Sequence, residues 1–87
     1  MKWKVAFDPA AEKQFSKLGN AAQREIERYI AKHLETDEDP RRFGKPYLSI
    51  KNAWWYRVGD YRLVAAIQNQ QVTVLVLKVG HRRNVYD

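Results

Sequence analysis

The sequence predicts an α+β fold: one N-terminal strand, a two-helix hairpin, then a three-stranded antiparallel meander that completes one sheet. Three observations predict it. Polar and apolar residues alternate over residues 2–7, apolar residues recur every three or four positions between residues 11 and 34, and β-branched and aromatic residues dominate from Trp54 onward.

Lys2, Lys4 and Ala6 alternate with Trp3, Val5 and Phe7, the period of a strand with one buried face. Asp8-Pro9 then supplies a helix cap and a proline at the first helical position, with Ala11, Phe15 and Leu18 on one side before Gly19 ends the helix. Asn20 is expected to cap a second helix, in which Ala22, Ile26, Tyr29, Ile30, His33 and Leu34 form the apolar stripe. The run from Glu35 to Pro40 breaks that helix, and the arginines, Gly44 and Pro46 that follow suggest an irregular loop to Tyr47. Strands are expected at 54–58, 61–68 and 71–79, divided by turns at Gly59-Asp60 and Asn69-Gln70 and followed by Gly80 and a short basic tail. The helical hairpin covers one face of the sheet and leaves the other for function. There is no internal repeat or linker, and a single domain spanning 1–87 is expected.

Sixteen Lys and Arg against ten Asp and Glu give a formal charge of +6, which favours polyanionic partners, nucleic acid first among them. Hydrophobic residues form 45% of the chain, enough for a packed core and too many for a disordered basic tail. Cysteine is absent, which excludes disulfides and thiolate metal sites. The opening Met1-Lys2-Trp3-Lys4-Val5 lacks the apolar stretch of a secretory signal, and no run is long enough to cross a bilayer. A soluble, cytoplasmic protein with no membrane partner is expected.

If Gly59-Asp60 is a two-residue turn, Val58 pairs with Tyr61, and Arg57 stands opposite Arg62 on the face that carries Trp55. Like charges so placed repel, and either a bound anion such as phosphate or a splaying of the two side chains resolves the conflict. A second cluster, Gly80-His81-Arg82-Arg83-Asn84-Val85-Tyr86, begins where the last strand ends; it reads as a loop-borne site or as a frayed basic terminus. Asp37, Glu38 and Asp39 beside Pro40 read as a solvated loop, so no metal and no cofactor is expected. His33, on a helix, reads as a packing residue.

The run Trp55-Tyr56-Arg57-Val58-Gly59-Asp60-Tyr61-Arg62-Leu63-Val64, taken with Lys78-Val79-Gly80-His81-Arg82-Arg83-Asn84-Val85-Tyr86, resembles the paired signatures of RelE-type toxins in the RelE/ParE superfamily. Phe7-Asp8-Pro9-Ala10-Ala11 and Phe15-Ser16-Lys17-Leu18 are similar to that family's first strand and helix, so the resemblance covers nearly the whole chain. It implies the toxin of a type II toxin–antitoxin module, an mRNA interferase that works in the A site of the 30S ribosomal subunit until a RelB-like antitoxin neutralises it. By position, the resemblance implies catalytic roles for Arg62 and Arg82 and a base-stacking role for Tyr86, while His81 falls where relatives carry lysine or histidine.

Cleavage of RNA without metal recruits the 2′-hydroxyl and leaves a 2′,3′-cyclic phosphate. Arginines suit the growing phosphate charge but are poor general bases, and histidine is the side chain near these motifs that titrates near neutral pH, which makes His81 a candidate acid or base. Lys45, Lys51, Trp55, Arg57 and Arg83 are the expected RNA-binding residues. One departure stands out: ribosome-dependent relatives usually carry a basic residue where this chain has Trp55. Lys51 is placed to reach the same region from a loop, and Trp55 either stacks on a nucleobase or covers the sheet. Two other readings stay open, a ParE-like inhibitor of DNA gyrase and a non-catalytic module that binds RNA or protein.

Overall fold

The alternation near the N-terminus becomes strand β1 at Lys4–Phe7, in a computed structural model that describes residues 1–83 of the chain. Trp3 lies before the strand and donates its N–H to the Thr36 carbonyl. Helix α1, Pro9–Ser16, starts as expected: the Asp8 carboxylate accepts the Ala11 N–H at 2.8 Å, and Pro9 occupies the position whose missing N–H costs nothing. Helix α2 spans Asn20–Tyr29, but its cap is Gly19, which has no side chain to bond; Asn20 is already the first helical residue. The expected role of Asn20 is therefore corrected. Gln23 ties the hairpin together, its amide donating to the carbonyls of Phe15, in the last turn of α1, and Leu18, just beyond it.

After Tyr29 the chain widens into a π-helical turn, Ile30–Leu34, closed by Glu35 N–H on the Ile30 carbonyl. His33 lies between Tyr29 and Phe43, with ring centroids 4.7 Å from each, so it packs as expected. The segment expected to be irregular holds a 3₁₀ turn, Pro40–Phe43, capped by Asp39, and a two-residue strand β2, Lys45–Pro46. Nothing in the sequence announces strand β2, because a pair ending in proline carries no periodicity; proline is tolerated there because the strand is an edge.

Strands β3 (Ala53–Val58), β4 (Tyr61–Gln68) and β5 (Thr73–His81) form the meander. Strand β5 starts and ends two residues later than expected, because the turn runs from Asn69 to Val72, with the Val72 N–H on the Asn69 carbonyl and φ 49° at Val72. The five strands lie in the order β1-β5-β4-β3-β2, with β1 parallel to β5 and the other pairs antiparallel. Ala11, Ile26, Ile30 and Leu34 press onto Tyr56, Val58, Leu63, Ala65, Ile67, Val74, Val76 and Val79 from one side of the sheet. Ile26 and Leu34 are fully buried, and each contributes roughly 1.5–3 kcal/mol by leaving water. Among the described residues no helix is long and apolar enough to cross a membrane.

Candidate nucleic-acid interface

The hairpin of β3 and β4 has the register that its turn dictates: Val58 faces Tyr61 and Arg57 faces Arg62. Gly59 takes φ 58° at the first central position, as a type II′ turn requires. Strand alternation then sends Trp54, Tyr56 and Val58 toward the helices and Ala53, Trp55 and Arg57 to the other side, joined there by Arg62 and Val64 of β4. Among the described residues no strand contains an aspartate or glutamate, and the side chains on this open face are cationic and aromatic.

The two opposed arginines splay apart. Arg57 turns back so that its Nε donates to the Gly59 carbonyl at 3.2 Å, while the Arg62 guanidinium lies 4.3 Å from the centroid of Trp55. Lys45, cross-strand neighbour of Trp55, brings its ammonium to 5.7 Å from the same ring. Trp55, the departure from the expected basic residue, thus sits between two cations.

Two further residues join this face that the sequence did not single out. Val64 pairs with Lys78 and Ala65 with Val76, so Leu77 is the extra residue of a bulge that turns Lys78 outward while Val79 still reaches the core. The Lys78 ammonium donates to the Tyr47 hydroxyl at 3.2 Å and lies 5.4 Å from that ring. Tyr47 belongs to a second, smaller apolar cluster with Ala53 and Val64, on which Ile50 and Trp55 pack. The open face is therefore not bare, because the loop between β2 and β3 folds back over part of it. That loop is tied down: Tyr47 N–H donates to the Ala53 carbonyl, Ile67 N–H to the Asn52 carbonyl, and Asn52 takes φ 60°. Lys51 is exposed on it.

Just after β5 the Arg82 N–H donates to the Asp60 carbonyl at 2.8 Å, which ties the backbone of Arg82 to the turn that follows Arg57 and β3. Arg82 and Arg83 are exposed. His81 is not brought beside Arg62. It pairs with Tyr61, its ring edge-on to that ring at 5.8 Å, on the side of the sheet that faces the helices. Its Nδ1 accepts the Arg83 N–H, so in the neutral ring the proton sits on Nε2. Tyr86 lies outside the described residues.

The acidic run is dispersed: Asp37 faces the N-terminal amine, Glu38 pairs with Arg42 at 2.8 Å, and Asp39 caps its turn. Among the described residues no three histidines, cysteines or acids gather as metal ligands. The arrangement that remains offers hydrogen-bonding cations on a rigid sheet, next to aromatic rings, which suits a phosphodiester backbone.

A family model described as the ParE toxin of the type II toxin–antitoxin system parDE matches residues 5–86. The chain is 29% identical over 87 residues to the toxin RelG of Mycobacterium tuberculosis, covering 99% of this chain and 98% of that protein. The toxin–antitoxin complex RelBE2 of the same organism contains a chain that superposes with a TM-score of 0.81 at 28% identity, over 97% of this chain and 95% of that one. The intact RelBE toxin–antitoxin complex of E. coli gives a TM-score of 0.74 at 23% identity, over 91% and 95%, a likeness of fold.

Proposed function

We propose, from the premise that this chain belongs to the ParE toxin family of type II toxin–antitoxin systems, within the RelE/ParE superfamily, that it acts as a ribosome-dependent endoribonuclease. The observation that carries the reading is Arg62, fixed over Trp55 on a face that also presents Lys45, Arg57 and Lys78. Family membership fixes the toxin–antitoxin module and not the target. A cationic sheet face with arginines retained beyond β5 favours RNA over gyrase.

In the proposed reaction the 2′-oxygen of one nucleotide attacks the adjacent phosphorus. A 2′-O–P bond forms, the P–O5′ bond breaks, and products with a 2′,3′-cyclic phosphate and a 5′-hydroxyl remain. Arg62 and Arg82 stabilise the charge that grows on the non-bridging oxygens, and Tyr86 stacks on a base to hold the strand in line. Lys45, Lys51, Arg57 and Arg83 bind neighbouring phosphates. His81, whose ring lies edge-on to Tyr61, is the candidate acid or base of this scheme.

The substrate is translated mRNA in the A site of the 30S subunit, which puts the work in the cytoplasm. The partner is a cognate RelB-like antitoxin, in keeping with the toxin–antitoxin complexes named among the relatives. Brief induction of the wild type, Arg62→Ala and Arg82→Ala, with mapping of new 5′ ends, tests the reading. Cuts that require translation and disappear in both variants are expected. Persisting toxicity without cuts would move the target to gyrase.

A further inference from the structure

We infer that Trp55 is a positioning residue for Arg62 and not a stacking platform for a nucleobase, an inference that rests on the proposed phosphate-binding role of Arg62. The register explains how the two meet. Trp55 faces Val64 and Arg57 faces Arg62, so Arg62 lies on the diagonal from Trp55, a separation that an arginine and an indole can span.

The Trp55 ring is already committed. Arg62 Cζ stands 4.3 Å from its centroid, the Lys45 ammonium 5.7 Å, and the ring packs on the cluster of Tyr47, Ala53 and Val64. A base entering on the Arg62 side would have to displace the guanidinium. A guanidinium held over a ring still carries its N–H groups around its rim, so attraction to the ring and hydrogen bonding to phosphate act together. Arg57 offers no substitute support, because it turns away to the Gly59 carbonyl. The indole thus helps to hold one rotamer of Arg62 before any anion arrives, which reduces the ordering cost of binding.

Two probes, inorganic phosphate and adenosine monophosphate, separate this role from base stacking. Each is titrated into the full chain and followed at the Arg62 Nε–H resonance. In the unbound wild type that resonance is expected to be displaced by the Trp55 ring current. Trp55→Leu should restore it to its ordinary position and weaken both probes by the same factor, roughly fivefold, equivalent to about 1 kcal/mol. Trp55→Phe, which keeps an aromatic face, should recover most of the loss. A loss confined to adenosine monophosphate, unchanged affinity for both probes, or an undisplaced resonance in the wild type would each overturn the inference. The wild-type spectrum decides even where Trp55→Leu does not fold. Unaltered phosphate binding by Arg62→Ala would instead defeat the underlying reading of Arg62, whatever the Trp55 variants do.

Discussion

Tyr56 shows how one side chain holds the site from behind. It is fully buried, donates its hydroxyl to the Pro40 carbonyl at 2.8 Å, and packs so closely on Gly44 that a Cβ there would lie 2.7 Å from its ring. Tyr56→Phe leaves that carbonyl without its donor, and urea unfolding at neutral pH should show a loss of about 1–3 kcal/mol. The pH dependence has a definite sign. Burial, then the neighbouring Tyr29 and Asp39, push the Tyr56 hydroxyl above its ordinary 10.0 against the opposing pull of Arg41. The folded chain therefore holds this proton more tightly than the unfolded one, so the contribution is complete below about pH 10 and drains away as pH rises toward the folded value. Stabilities of wild type and Tyr56→Phe should differ by a constant amount up to about pH 10 and converge above it, and curves that stay parallel above pH 10 would contradict the assignment. Gly59 is the other residue on which the site depends. Its φ is 58° and a methyl group there would stand 2.7 Å from the Glu25 carboxylate, so Gly59→Ala should cost about 1–2 kcal/mol in the same assay.

At the scale of elements, the helical hairpin owes its closure to one polar side chain. Gln23 reaches back from α2 to the carbonyls of Phe15 and Leu18, at 3.2 and 3.0 Å. Gln23→Ala should therefore loosen the end of α1, seen as faster amide exchange there and a stability loss of about 1 kcal/mol, with the exchange of β4 amides changed only by the global term. What was legible in the sequence follows the strength of each local signal. Asp8-Pro9 specifies a cap and a start in two residues, and Gly59-Asp60 specifies a turn and with it the register that opposes Arg57 to Arg62. Strand β2 was illegible because its pairing is supplied by β3 and its own two residues say little. Asn20 misled because its side chain suits a cap, while the chain actually enters α2 through the extended backbone of Gly19.

For the molecule as a whole, the consequential point is which face each charge occupies, and here alternation alone was insufficient. The bulge at Leu77 shifts the count by one, placing Lys78 with Arg62 and leaving His81 against Tyr61, although proximity in sequence groups His81 with Arg82. Lys78 also depends on Tyr47, which arrives from a loop whose fold no periodicity announces. Among the described residues the acids are absent from every strand and lie on helices and connections, so charge is unevenly distributed there and the open face is the cationic pole. If that pole binds RNA through phosphates, affinity for a short single-stranded RNA must fall as salt rises, because each neutralised phosphate releases counterions. Lys78→Ala should then weaken binding at low salt and reduce the slope of log affinity against log salt by about 0.7, the share of one phosphate contact on a single strand. Lys13→Ala, an exposed charge change of the same size on α1, serves as the control and should leave the slope unaltered. Equal slopes for the Lys78 and Lys13 variants would mean that only total charge matters, and the face between Lys45 and Lys78 would lose its claim to be the binding surface.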